Sequence, residues 1–179
     1  MPETMPETMI EPGDQALGDT FRHALQRVAG TVYLVTASDE SRRRHGITAT
    51  SVVSVSMSPP SLLACINTAS TVFGPIDRHG SFCVNVLTHE HEQHSARFSN
   101  PADYQARFRF GEWKRHAGLP YLADAQAAIF CDVARKIVHG SHAIFIGNVE
   151  HVIVPRGIKQ PLIYYNQNYL SHENTVGVC

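Results

Sequence analysis

HGITATSVVSVSMSPPSLLACIN, residues 45–67, carries seven hydroxyl side chains between Thr48 and Ser61. Val53, Val55 and Met57 alternate with Ser54, Ser56 and Ser58, the period of two expected of a half-buried strand over GITATSVVSVSM (46–57). Pro59-Pro60 cannot continue a central strand, so the chain turns there and SLLACIN (61–67) begins another. The hydroxyls have two readings. One is a strand with a wet face, for which Ser and Thr are ordinary. The other is a ligand: Gly46 permits a tight backbone, and Thr48, Ala49, Thr50 and Ser51 can offer N–H groups and hydroxyls together to a polyol or phosphate.

Working outward, Phe21, Leu25 and Val28 recur at helical spacing after Asp19, a candidate N-cap, and Gly30 suits the position just past a helix end. TVYLVTA (31–37) is a strand, and the charged run through Arg42, Arg43 and Arg44 reads as a solvated hairpin tip. TASTVFGPIDRHG predicts a short helix closed by Gly80, followed by a strand over SFCVNVL (81–87). THEHEQHSARFS (88–99) predicts a helix with Glu90 and Glu92 in its first turn and Arg97 near its end, as the helix dipole favours. Residues 100–121 read as loop, with Phe108, Phe110 and Trp113 as a cover for a site or core. Beyond them, AAIFCDVARKIVHGSHAIFIGNVEHVIV (127–154) is two long strands joined at HGSH, and PLIYY adds one more. About seven strands with short helices between some of them argue against a doubly wound parallel sheet. They favour a mainly β, antiparallel barrel, which leaves no edge exposed.

The chain has 179 residues, 43% of them apolar, enough for one well-buried core and too few for two comfortable ones. Residues 1–17 read as a disordered leader and 18–179 as the single domain, because MPETMPETMIEPGDQ is acidic, repetitive and proline-containing, with no basic or apolar segment of a signal peptide. A formal net charge of −1 and a pI near 6.8 provide no electrostatic footprint for nucleic acid or an anionic membrane. No apolar run approaches the ~18 residues that cross a bilayer. Cys65, Cys83, Cys131 and Cys179 are scattered without zinc spacing, and the expectation is reduced thiols in the cytoplasm.

Dinucleotide, P-loop, nucleophile-elbow and zincin signatures are absent. His89, His91 and His94 do not share one helix face, so they predict a solvated surface, and no metal site is expected. No histidine or acid lies locally beside the serines to activate one of them. A second polar set, Asn67, Ser70 and Thr71, precedes a short helix whose N-terminus would favour phosphate. Two hydroxyl clusters at neighbouring strand ends point to one ligand rich in hydroxyls and phosphate, a description that both FMN and FAD fit.

GITATSVVSVSMSPPSLLACIN, STVFGPIDRHGSFCVNVL, GSHAIFIGNVEHV and PLIYYNQNYL, spanning Gly46 to Leu170, resemble the short-chain flavin reductases, NAD(P)H:flavin oxidoreductase components of two-component flavin monooxygenases. Within that family the chain is similar to the reductases serving phenol, 4-hydroxyphenylacetate and chlorophenol hydroxylases. The resemblance implies a split β-barrel of the FMN-binding type with short flanking helices, and a homodimer with flavin near the interface. It implies Thr48, Ala49, Thr50 and Ser51 along the isoalloxazine and ribityl chain, and Asn67, Ser70 and Thr71 on the ribityl and phosphate. It places Phe82 and Asn85 close to the flavin, His142 beside the nicotinamide and flavin rings as the catalytic residue, and Tyr169 against the nicotinamide. The chain departs from the family pattern at Asn166-Gln167-Asn168. Hydride would pass from nicotinamide C4 to flavin N5, and the reduced FAD or FMN would diffuse to a partner monooxygenase acting on a phenolic compound. The lack of an arginine pair for a 2′-phosphate favours NADH over NADPH. Two other readings stay open: a non-catalytic flavin carrier, and a pyridoxamine-phosphate-type oxidase, against which stands the scarcity of basic residues in the hydroxyl clusters.

Overall fold

A computed structural model describes residues 14–170, so most of the expected leader lies outside the described residues. Helix α1 (Asp14–Gln26) begins a turn before Asp19. Thr20 Oγ1 already donates to the carbonyl of Ala16, and Asp19 pairs with Arg22 one turn on, so residues 14–17 are helix and not leader. Nor does Gly30 close this helix: it opens β1 (Gly30–Thr31), where a Cβ would come within 3.2 Å of the Thr50 side chain.

The chain continues through β2 (Tyr33–Ser38), β3 (Arg44–Ala49), β4 (Val52–Met57), β5 (Pro60–Asn67), α2 (Phe73–His79) and β6 (Ser81–Val86). A 3-10 turn at His89–His91 leads into α3 (Glu92–Ser99). Then follow the hairpin β7 (Trp113–His116) and β8 (Leu119–Leu122), the long hairpin β9 (Ala127–His139) and β10 (His142–Ile153), and the short β11 (Ile163–Tyr165) and β12 (Asn168–Tyr169). Every strand pairing is antiparallel. Among the described residues the expected seven strands become twelve: the run over 46–57 breaks in two, β1 separates from β2, and β7, β8 and β12 are additional.

The break has a topological cause. Seven strands form one sheet in the order β3-β2-β6-β9-β10-β5-β4, so β3 and β4, consecutive in the chain, are its two opposite edges. Six strand spacings of about 4.8 Å would put the edges of a flat sheet about 29 Å apart. The three Cα steps from Ala49 to Val52 reach at most about 11 Å. The sheet is therefore curled until its edges face, and Thr50-Ser51 is the crossing, with the Ser51 carbonyl already accepting from the Cys65 N–H of β5.

Inside the curl lie Val35, Ile66, Phe82, Val84 and Phe145, where full burial of each large side chain contributes about 1.5–3 kcal/mol. Gly147 makes this packing possible: a Cβ there would lie 2.7 Å from Cys131 Cβ and 2.8 Å from the Phe82 ring. A second cluster joins Val32, Leu34, Leu87, Phe98 and Leu122, against which Phe108 and Trp113 pack. Gly80, at φ +67°, caps α2 as expected, and Gly140 turns the β9–β10 hairpin at φ +55°.

Two surfaces differ from expectation. Val53, Val55 and Met57 face outward, Met57 being 85% exposed, because edge strand β4 pairs only with β5 and its apolar face is uncovered within one chain. The histidines of THEHEQH are not a solvated face either. His91 is buried, its Nδ1 accepting from the Thr88 N–H at 3.1 Å, and its ring meets that of His94 edge-on at 5.4 Å. Capping of the 3-10 turn draws His91 inward, and α3 starts only at Glu92. Among the described residues no helix is long and apolar enough to cross a membrane, and no group of three or more His, Cys, Asp or Glu is placed to hold a metal ion. Cys65, Cys83 and Cys131 are free; burial holds the Cys83 thiol well above its ordinary pKa and pushes that of Cys131 up to about 12.

Candidate functional site

Where β3 leaves one sheet edge for the other, a trough of three adjoining cavities opens. One of about 420 Å³ lies between the end of β3, the turn after β5 and the C-terminal end of α3, lined by Thr48, Asn67, Ser70, Thr71, Phe98, Tyr104 and Arg107 among others. It shares Thr48 and Ser99 with a second of about 250 Å³, lined also by Ala49, Thr50, Ser95, Tyr164 and Tyr169. Thr50 and Tyr164 lead on to a third of about 410 Å³, beneath α1, which takes in Ser51.

Eight predicted site residues therefore line one continuous trough: Thr48, Ala49, Thr50, Ser51, Asn67, Ser70, Thr71 and Tyr169. Their local geometry follows from short-range hydrogen bonds. Asn67 Oδ1 accepts from the Ala69 N–H at 2.8 Å and the Asn67 carbonyl from the Ser70 N–H at 2.9 Å, which bends the chain out of β5 and sets Ser70 and Thr71 on the cavity wall. Thr48 Oγ1 donates to the Ser95 carbonyl at 2.6 Å, and Ser95 Oγ lies 2.7 Å from the Tyr169 hydroxyl, tying β3, α3 and β12 around the middle cavity. Asn166 and Gln167, both at positive φ, form the tight turn that returns Tyr169 alongside Tyr164, their rings edge-to-face at 5.3 Å. Among the described residues the hydroxyls of Thr50, Ser51 and Thr71 have no side-chain partner.

Three predicted residues stand apart. His142 is exposed and lines none of the cavities; its Nδ1 lies 2.9 Å from Ser141 Oγ. It is, however, the direct cross-strand partner of Asn67, which lines the larger cavity, so the two side chains leave the same face of the sheet. Phe82 and Asn85 are both fully buried. Phe82 belongs to the core, while Asn85, on the opposite face of β6, has its amide consumed beneath β8, donating to the Leu34 carbonyl and accepting from the Leu122 N–H. Neither contributes to the trough, because one face of β6 is the wall of the core and the other is covered by β8.

Sequence reasoning missed Ser95, Ser99, Tyr104, Arg107 and Tyr164. Arg107 is the most consequential, a buried cation on a site whose own segments contain none. Beside it a hydrogen-bonded chain runs from the Tyr104 hydroxyl to His45 Nδ1 at 3.1 Å and from His45 Nε2 to Asp39 at 3.1 Å. Burial acts to raise the Asp39 pKa, but hydrogen bonds from His45 and Arg43 outweigh it and hold the carboxyl well below the usual range.

No serine or threonine of the trough is hydrogen-bonded to a histidine or acid, so the arrangement holds no activated nucleophile. It offers hydroxyls along its length, a tyrosine pair at the middle and an arginine towards either end, Arg107 and Arg22. That donor set fits a planar ring carrying a polyol and an anionic group, as a flavin does.

Comparison with known proteins agrees. Residues 25–173 match the family described as flavin reductase like domain. The chain is 40% identical over 157 residues to the reductase component of the FADH2-dependent resorcinol hydroxylase of a Rhizobium species, covering 87% of each chain. It is 36% identical over 167 residues to the FMN reductase (NADH) RutF 1 of a Methylorubrum extorquens strain, covering 93% of this chain and 81% of that one. The styrene monooxygenase flavin reductase of Pseudomonas putida superposes with a TM-score of 0.77 at 27% identity, over 84% of this chain and 96% of that one. With the family match extending over nearly the whole described fold and every segment of the trough, the chain belongs to the flavin reductase like domain family.

Proposed function

We propose that the protein is an NADH-dependent flavin reductase that passes hydride from NADH to FAD or FMN and supplies the reduced flavin to a partner monooxygenase hydroxylating a phenolic compound. The observation that carries this reading is the trough itself: the hydroxyl-rich crossing Thr48–Ser51 and the Asn67–Thr71 turn, separate in sequence, line one continuous space. The curl that brings β3 and β4 together supports a split β-barrel of the FMN-binding type. The outward apolar residues of β4 support a homodimer, since Val53, Val55 and Met57 would be covered by a second copy.

The hydride chemistry, from nicotinamide C4 to flavin N5, resides in the two cofactors. The chain's residues position and insulate. Thr50 and Ser51 present uncommitted hydroxyls to a polar ring edge and stabilise charge there. The Thr48–Ser95–Tyr169 bonds hold the aromatic wall of the middle cavity rigid, and rigidity of this kind lowers the barrier by fixing reacting groups in line. The cross-strand pairing of His142 with Asn67 supports a role for His142 beside the incoming nicotinamide. Arg107 removes the charge argument against a pyridoxamine-phosphate oxidase, so the family match and not the basic-residue count supports the reductase.

The test is oxidation of NADH in air, with and without catalytic FAD or FMN, repeated with NADPH. Flavin-dependent oxidation favouring NADH is expected. Flavin binding with no oxidation would leave a carrier and sink the reductase.

A further inference from the structure

Among the described residues, three of the four buried side-chain polar atoms without a hydrogen-bond partner belong to two histidines packed together: Nε2 of His91 and both ring nitrogens of His94. Their rings meet edge-on at 5.4 Å. His91 Nδ1 accepts from the Thr88 N–H, so in the neutral ring its other nitrogen carries the hydrogen; that nitrogen faces Asp124 Oδ2 at 3.3 Å without the alignment of a hydrogen bond. His94 is half-buried, and what covers it is a glycine. At Gly111, φ +86°, a Cβ would lie 2.4 Å from His94 Nε2 and 2.9 Å from Leu122 Cδ1, so the backbone of the 110–112 strap rests directly on the imidazole.

The strap belongs to the aromatic cover. Trp113 Nε1 donates to the Phe110 carbonyl at 2.7 Å, and the Arg97 guanidinium carbon lies 4.1 Å from the Phe110 ring centre. Trp113 also stacks on Phe98 of α3 at 5.5 Å and meets Phe108 at 4.7 Å. Phe98 lines the 420 Å³ cavity, and Ser95, next to His94 in the chain, bonds Thr48 and Tyr169. The seat of the cover on His94 is therefore continuous with the wall of the trough.

An uncharged imidazole suits this seat and a cation does not. Burial and the neighbouring His91, with Arg97 adding to them, hold the His94 pKa below its ordinary value; the Asp124 carboxylate and the Phe110 backbone favour the charged ring but are outweighed. Glu112, the acid of the strap itself, is exposed, and beyond Asp124 the Lys159 ammonium is paired with Glu90. His94 thus binds its proton more readily out of the seat than in it. The seated form is complete above the ordinary histidine value of about 6.5 and is lost as the pH falls below it.

We propose that His94 is a pH-operated latch: uncharged, it seats the 108–113 aromatic cover on α3, and on protonation it turns out towards water and releases the cover, loosening the Phe98 wall of the trough. The latch goes beyond the flavin reading and does not depend on it. The competing account is that His116, stacked on His151 at 4.1 Å at the far end of the β7–β8 hairpin, carries the acid response.

Trp113 is the chain's one tryptophan and reports on the cover directly. In the full chain, titrated from about pH 8 to about pH 5, its emission should shift to the red in one reversible step with a midpoint below about 6.5, while far-UV circular dichroism stays constant. His94→Phe keeps a ring beneath Gly111 and removes the titration, so its emission should hold the alkaline value throughout, whereas His116→Phe should leave the step intact. Should His94→Phe not fold, Asp124→Asn decides: losing a carboxylate that favours the charged ring should move the midpoint to lower pH. A flat wild-type titration, a step that survives in folded His94→Phe or vanishes in His116→Phe, or an unmoved midpoint in Asp124→Asn would each overturn the latch. Riboflavin, which has no titrating phosphate, connects the latch to the trough: it should bind about 5-fold or more weaker at the acid end in the wild type and equally at both ends in His94→Phe. Equal wild-type affinities overturn the coupling to the trough; no binding at either pH overturns the flavin reading, and the Trp113 step still decides the latch.

Discussion

The Ser95–Tyr169 hydrogen bond is a test of how the trough is held. Ser95 is fully buried, and its Oγ lies 2.7 Å from the hydroxyl of Tyr169 on β12, a strand of two residues whose ladder pairs are Tyr164↔Tyr169 and Tyr165↔Asn168. Tyr169→Phe strands the Ser95 hydroxyl in a dry position, a cost of about 1–3 kcal/mol. Ser95→Ala leaves the Tyr169 hydroxyl on a half-buried residue that opens on a cavity, so water can satisfy it and the cost is about 0.5–1.5 kcal/mol. The double variant leaves no orphan, so its loss should fall short of the sum by about 1 kcal/mol. In a chain of this size that corresponds to about 2–4 °C in Tm. Urea unfolding of the four proteins, with unchanged slope, measures the coupling. Because the bond anchors the wall on which the nicotinamide is proposed to lie, Tyr169→Phe should also raise KM for NADH more than it weakens flavin binding. A coupling energy below about 0.3 kcal/mol would refute the anchoring role, since sites that do not interact add to within that margin.

Four further outcomes follow from the same geometry. Gly147→Ala should destabilise the fold by about 1–3 kcal/mol or more in urea titration, because the new methyl group meets Cys131 and the Phe82 ring, which the core holds in place. Thr50→Val with Ser51→Ala should weaken flavin binding while Tm stays within about 2 °C, since both side chains are exposed; unchanged affinity would detach them from the site. For His142→Ala, stopped-flow kinetics should show slower flavin reduction by NADH with little loss of flavin affinity, and a wild-type rate would remove His142 from the reaction. Asp39, 9% exposed and held below the ordinary carboxylate pKa of about 3.9, binds its proton more readily when unfolded. Its contribution is therefore complete above about pH 5 and is lost as the pH falls through and below the unfolded value, so the urea midpoint of the wild type should decline more steeply below about pH 4 than that of Asp39→Asn.

Much of the fold could be read locally because its signals are local. The β9–β10 hairpin is two long apolar-rich runs around a glycine turn, and α2 ends at Gly80 because the αL cap is a property of a few consecutive residues. Where reading failed, the deciding interaction was distant. Alternation along Val53, Val55 and Met57 shows which side chains share a face and says nothing of which face is inside; that depends on β4 being an edge, and hence on the pairing of seven strands. RFRFGEWKRHAGLP hides a hairpin because its turn, Ala117-Gly118, has both residues at positive φ, and strands of four residues show too little periodicity to register.

The site divides along the same line. Thr48–Ser51 and Asn67–Thr71 announce themselves as clusters of one chemistry within a few residues of each other in sequence. Arg107 does not: it sits among Arg97, Arg109 and Lys114 in a segment whose basic residues look alike, and what distinguishes it is that Gly46, Arg97 and Asn100 happen to aim three carbonyls at one point. The composition of the hydroxyl clusters therefore undercounts charge at the trough, since the fold imports a cation from some forty residues beyond Asn67. Asn85 errs in the opposite sense. A polar residue in a strand beside a proposed cofactor reads as a ligand, yet its amide joins Leu34 and Thr36 of β2 to Leu122 of β8, bonds that no pattern within SFCVNV foretells. Only the three-dimensional accounting of hydrogen bonds separates Asn85, whose amide is committed on both sides, from Arg107, whose guanidinium lines the trough with donors to spare.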